Sequence, residues 1–179
     1  MDPTNLIDDL IAREGGYVAN SADKGGPTCF GITQAVAHAH GYAGPMMRLP
    51  RDTAIAIYRA DYWTTPRIDE VTALAPQVAA ELFDTGVNMG LGTATGFLRR
   101  ALNALNRGGA DYRDIAAAGA IDAAVLGALK AFLHVRGATG QSVLVKALDA
   151  LQGERYLALA ERRPADEAFL YGWLANRVG

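Results

Sequence analysis

The stretch from Gly15 to Ile32 constrains the fold more than any other part of the chain. It holds five glycines and a proline, too many helix breakers for a regular helix and enough turn formers for a structured loop. Just before it, Leu6, Ile7, Leu10 and Ile11 form an apolar stripe at helical spacing. That stripe predicts a helix over 3–14, closed by Gly15-Gly16 as a C-cap. A short β-hairpin is expected around Thr28–Ile32. Downstream, the periodicity predicts helices over 33–40, 51–63, 76–90, 93–106, 121–136, 141–162 and 166–177, with a Gly/Pro-rich connection over 41–50. Pro76 suits a first helical turn, and Thr93 suits an N-cap. The expected class is all-α with some α+β character: a helical bundle with one small β-hairpin or structured Gly-rich loop near residues 17–32. Two lobes are expected, 1–75 and 76–179, packed as one globular unit.

Half of the 179 residues are hydrophobic, enough to bury a core, and the 8% aromatic content with abundant Gly and Ala favours closely packed helices over a β-sandwich. The net charge of −2 argues against a general nucleic-acid binder. The charge is uneven: residues 1–90 carry 6 Lys/Arg against 11 Asp/Glu, and residues 91–179 carry 11 against 8. A basic second half suits an anionic polymer, and an ordinary solvated surface gives the same numbers. Cys29 is the only cysteine, so no internal disulfide is expected. The N-terminal sequence lacks the charged and apolar regions of a secretory signal, and no apolar run approaches the length of a membrane span. His38, His40 and His134 show no metal-ligand spacing, and no GxSxG elbow or nucleotide loop is present. No metal and no cofactor are expected.

Glu14 is the leading catalytic candidate. It lies four residues after Leu10 and three after Ile11, on the apolar face of its helix and in the last turn, where the helix dipole is negative. Both effects disfavour the ionised carboxylate, as the general acid of a glycosidase requires. The alternative is a helix-end glutamate turned to solvent or paired with Arg13 or Lys24. Asp23 and Thr28 follow in the Gly-rich loop, which can fold back toward the helix end and set a second carboxylate and a hydroxyl across a cleft from Glu14. Equally, Asp23 can cap the turn before Lys24-Gly25-Gly26, and Thr28 can be a hairpin threonine.

Tyr58, Tyr62 and Trp63 fall together on one helix and are candidates to stack on sugar faces; core packing explains them as well. Glu81, Asp84 and Asn88 form a polar stripe on the 76–90 helix. Asp84 and Asn88 can hydrogen-bond acetamido groups, or the stripe can be a solvated face.

The run EGGYVANSADKGGPTCFGIT, Glu14 to Thr33, closely resembles the opening motif of glycoside hydrolase family 108, largely phage endolysins and prophage N-acetylmuramidases. AIYRADYW (Ala56 to Trp63), ELFDTGVNMG (Glu81 to Gly90) and GWLANR (Gly172 to Arg177) resemble later stretches of that family, so the likeness spans nearly the whole chain. One departure is Cys29-Phe30, where the pattern has a polar residue followed by Tyr. The resemblance implies a lysozyme that hydrolyses the β-1,4 bond from N-acetylmuramic acid to N-acetylglucosamine, with Glu14 as acid and a C-terminal peptidoglycan-binding region. It favours Asp84 and Asn88 facing the site. The order Glu14, Asp23, Thr28 also resembles the triad of lysozymes from T-even phages, which implies a water-positioning role for Asp23 and Thr28. Alternatives are a lytic transglycosylase on the same bond and a non-catalytic peptidoglycan binder. The implied partner is the peptidoglycan glycan strand, met by a monomer without stable membrane insertion. The implied route is synthesis in the host bacterial cytoplasm and release to the wall through holin pores.

Overall fold

The computed structural model describes residues 3–18 and 26–179. The chain divides into two compact units, Met1–Thr65 and Pro66–Gly179.

The first unit opens with α1 (Thr4–Glu14), which buries Ile7, Leu10 and Ile11 and ends at Gly15 with φ 76°. A small antiparallel sheet follows: β1 (Tyr17–Val18), β2 (Thr28–Cys29) and β3 (Ile32–Thr33), in the order β1-β2-β3. The expected hairpin is therefore two of three short strands. Cys29 pairs with Ile32, so Phe30 and Gly31 form a two-residue turn. Both have positive φ, 54° and 75°, the combination a type I′ hairpin demands. Thr33 then caps α2 (Gln34–Ala39), its side chain accepting from the Val36 amide at 3.3 Å.

Helix α3 (Arg51–Arg59) packs against α1 through Ala54 and Ile57. Burying each of the large aliphatic side chains on these two faces contributes about 1.5–3 kcal/mol. Polar ties fix their register: Arg51 pairs with Asp8 at 2.7 Å, and the Arg59 guanidinium donates to the Thr4 hydroxyl at 2.7 Å. The helix expected over 51–63 does not continue as α. From Ala60 to Thr64 it widens into a π-helical turn, a form that recurs at functional sites.

The second unit is helical throughout its regular elements. It contains α4 (Ile68–Leu74), α5 (Pro76–Met89), α6 (Leu91–Leu105), α7 (Ala123–Arg136), α8 (Gly140–Arg162) and α9 (Glu167–Arg177). Helix α5 lies at its centre, packed on α4, α6 and α8. Helix α8 buries Leu144, Leu148, Gln152, Tyr156 and Ala160, a strict four-residue repeat that presents one face inward. Helix α4 escaped the sequence reading because only Ile68 and Val71 mark its buried face. Helix α6 begins at Leu91 because Gly90, at φ 87°, makes the break; Thr93 sits inside the first turn and donates to the Met89 carbonyl at 2.9 Å. None of the described helices is long and apolar enough to cross a membrane.

The connection between α6 and α7 is held by one buried cation. Arg99 is 1% exposed. Its guanidinium donates to the Ala116 carbonyl at 2.9 Å, to the Ala120 carbonyl, and to Asp122 at 2.9 Å. Asp122 in turn caps α7, accepting from the Val125 amide at 2.9 Å. Asn103 adds two bonds to the backbone of Ile115. Replacing Arg99 by Ala removes the buried side chain that ties the Ala116 and Ala120 carbonyls and Asp122 together. Chemical denaturation should show a loss on the order of 3 kcal/mol, while Arg100→Ala on the exposed side of the same helix should cost little.

Candidate functional site

The candidate site lies where the end of α1 meets the β2–β3 turn. Gly31 identifies it. A β-carbon at this residue would stand 2.7 Å from the Tyr58 hydroxyl and 3.0 Å from Glu14 Oε2. A carboxyl group and a phenol therefore share the space in front of a backbone that has no side chain of its own. The Tyr58 hydroxyl donates to the Phe30 carbonyl at 2.9 Å. That bond locks the turn whose positive φ at Phe30 costs about 1–2 kcal/mol in an L-residue. Burial raises the Tyr58 pKa well above a phenol's ordinary value, helped by the negative charge of Glu14 and then by Tyr62. The phenol stays protonated throughout the physiological range.

The sequence spacing set Glu14 on the same helix face as Ile7, Leu10 and Ile11, and that is the face turned toward Gly31 and Tyr58. The apolar enclosure expected from this spacing is not there. Glu14 is exposed, because it lies one turn beyond the last buried residue of α1. Asp23 lies outside the described residues. Thr28 is half-buried in β2, and its hydroxyl lies 3.5 Å from the Val18 carbonyl, a long bond across the sheet.

The three aromatic candidates separate. Trp63 is only 4% exposed, so it belongs to the core of the first unit and offers no ring face to a sugar. Tyr58, 6% exposed, has its ring in the core and its hydroxyl on the Phe30 carbonyl. Tyr62 remains half-exposed on the π-helical turn, 5.8 Å from the Tyr58 ring and tilted by 41°. Asp61, its neighbour, accepts from His40 Nε2 at 2.9 Å and ties the turn to the end of α2. Gly31 and the Phe30 carbonyl were missed as site elements. The signal available was the glycine between the two short strand segments. Cys29, the departure from the family pattern, is buried in the sheet, where burial raises its thiol pKa.

Asp84 and Asn88 belong to the second unit. The Asn88 amide donates to the Asp84 carboxylate at 3.0 Å and to its carbonyl at 2.7 Å. Arg177 donates to Asp84 at 3.2 Å. Two distant sequence motifs, ELFDTGVNMG and GWLANR, thus meet through an ion pair. Glu81, on the same stripe, turns inward instead. Burial and the nearby Asp149 push its pKa up to about 7, against a bond from the Thr85 hydroxyl at 3.1 Å that favours the carboxylate. Burial likewise raises Asp149.

Residues 7–90 match the family model described as Glycosyl hydrolase 108, and residues 93–178 match the model described as Predicted Peptidoglycan domain. The chain joins a glycosyl hydrolase 108 domain to a peptidoglycan domain. It is therefore a glycoside hydrolase with a lysozyme-like, peptidoglycan-hydrolysing function, and its partner is peptidoglycan. The chain also resembles a solved structure titled "Structure of Brucella abortus SagA", with a TM-score of 0.64 and 22% identity over 96% of this chain and 86% of that chain. At that identity the likeness concerns the fold: mostly helical and lysozyme-like, with a small antiparallel sheet. No curated protein matches the sequence.

Two outcomes are expected. Gly31→Ala introduces a side chain at a positive φ and into the space of the Tyr58 hydroxyl and Glu14. It should destabilise the protein by about 1–2 kcal/mol and lower peptidoglycan hydrolysis at least tenfold, measured by turbidity on purified walls. Glu81 binds its proton more tightly folded than unfolded, so its stability contribution is full below its unfolded pKa of 4.5 and is lost as pH rises through about 7. Thermal melts should show a falling Tm over that window, and Glu81→Gln should flatten the dependence.

Proposed function

We propose that this hydrolase is an N-acetylmuramidase that cuts the β-1,4 bond from N-acetylmuramic acid to N-acetylglucosamine, with Glu14 as its general acid. The single observation behind the reading is the convergence of Glu14 and Tyr58 on the side-chain-free backbone at Gly31, within the segment that matches the hydrolase family. A glycan strand that reaches this turn meets an exposed carboxyl group able to reach a glycosidic oxygen.

The chemistry follows from the groups present. The acid form of Glu14 gives its proton to the departing sugar oxygen as the glycosidic bond breaks, and the ring carbon takes on oxocarbenium character. Tyr58 has committed its own proton to the Phe30 carbonyl. Its lone pairs are left to accept from the acid form of a neighbour. The bound sugar supplies the enclosure that Glu14 lacks in the free protein, excluding water from the carboxyl group. Tyr62 offers its half-exposed ring to a sugar face. Water then adds to the ring carbon and gives up a proton to complete hydrolysis; Asp23 and Thr28 are the residues assigned to position it. Action on this substrate puts the enzyme at the cell wall.

Glu14→Gln keeps the size of the side chain and removes the proton donor. It should lower turnover on purified peptidoglycan by about 10²–10⁴-fold with an unchanged Tm. Mass spectrometry of the wild-type digest should find reducing-end muramic acid. Anhydro-muramic products would replace the hydrolytic reading with a transglycosylase, and undiminished turnover in the variant would remove Glu14 from the mechanism.

A further inference from the structure

The second unit carries a cleft of about 600 Å³ between α6 and α8, lined in part by Gly96, Phe97, Arg100, Asn103, Glu154 and Arg155. Its volume falls within the range of about 300–1,000 Å³ typical of small-ligand sites. Arg100, Glu154 and Arg155 make no ion pair and no side-chain hydrogen bond among the described residues. In the same unit Arg67, Arg99, Arg107, Arg136, Arg163 and Arg177 pair with carboxylates; of the arginines that do not, Arg100 and Arg155 are the two that line this cleft. Arg155 is half-buried and also borders a second cavity of about 200 Å³, beside Trp173 and Arg177. Two neighbouring depressions thus share one uncompensated guanidinium.

The charges discriminate among the parts of peptidoglycan. The sugars of the glycan strand are largely uncharged. The free carboxylates sit on the peptide stem, together with an ammonium where the stem contains a dibasic residue. Two guanidiniums and one carboxylate in a single cleft match that mixture, since arginine's planar fork pairs with carboxylates in two-point fashion. The floor suits a short peptide too. Phe97 gives an apolar wall, and Gly96 lets a backbone come close. Asn103, the amide that could have held an acetamido group, is already engaged with the backbone of Ile115.

We propose that the α6–α8 cleft binds the peptide stem of peptidoglycan, with Arg100 and Arg155 holding stem carboxylates and Glu154 facing the stem ammonium. The proposal rests on the peptidoglycan domain and is independent of the role of Glu14. It makes the second unit a reader of stems, which holds the hydrolase on walls whose stems are intact.

The test is titration of the full-length protein with two probes: a sugar-free tetrapeptide stem containing diaminopimelate, and a tetramer of N-acetylglucosamine. The stem should bind saturably by calorimetry, and added salt should weaken it. Arg100→Ala and Arg155→Ala should each raise its Kd about tenfold or more, with the melting temperature kept. Glu14→Gln should leave stem binding unchanged, so a failure of the catalytic reading is seen separately. An acetylated stem, which lacks the ammonium, should bind the wild type and Glu154→Gln equally. Absence of saturable stem binding would overturn the proposal, as would a stem Kd that is indifferent to both arginine substitutions. Tetramer binding lost in those same variants would assign the cleft to sugar instead.

Discussion

The candidate active site depends on one crowded point, the α-carbon of Gly31. The turn it closes needs positive φ at two successive residues, and only the second of them is glycine. Phe30 accepts the less comfortable position because its carbonyl is held by the Tyr58 hydroxyl. Glu14 and Tyr58 fill the volume that any other residue at position 31 would claim. The remaining structure of the first unit serves to hold these partners. Helix α1 delivers Glu14 and α3 delivers Tyr58. The apolar contact between the two helices, with the Arg51–Asp8 and Arg59–Thr4 ties, sets their offset. The hairpin and its helix cap at Thr33 deliver the turn.

The second unit uses polar groups differently. Arg99 is buried to organise a long connection, and Glu81 and Asp149 are drawn into the packing of α5 against α8. These arrangements spend much of the unit's internal polarity on holding backbone and helices together. The Asp84–Arg177 pair joins α5 to the last helix. Arg100 and Arg155 stand outside this economy, and their lack of partners gives the α6–α8 cleft its chemical character.

Much of the architecture was legible because periodicity reports which face of a helix is buried. The stripes of α1 and α5 are long enough to be read directly. Helix α4 was not, since two buried residues make no recognisable repeat. The π-helical turn after α3 was not, since a one-residue widening depends on packing rather than on propensity. It also explains why three aromatic residues close together in sequence have different environments: Trp63 is buried, Tyr62 is half-exposed, and Tyr58 is turned toward a backbone carbonyl.

Taken alone, the sequence determined the helical class, the position of Glu14 at a helix end, and the motif that ties the chain to its hydrolase family. These are local properties, carried by spacing and residue type. The tertiary structure decided that Glu14 is exposed rather than enclosed, that the Tyr58 hydroxyl is bonded to the Phe30 carbonyl, and that Gly31 faces Glu14 and Tyr58 with no room for a side chain. It also decided that Asp84 answers to Arg177. Each of these depends on contacts between residues far apart in the chain, and no local pattern carries the offset of one packed element against another.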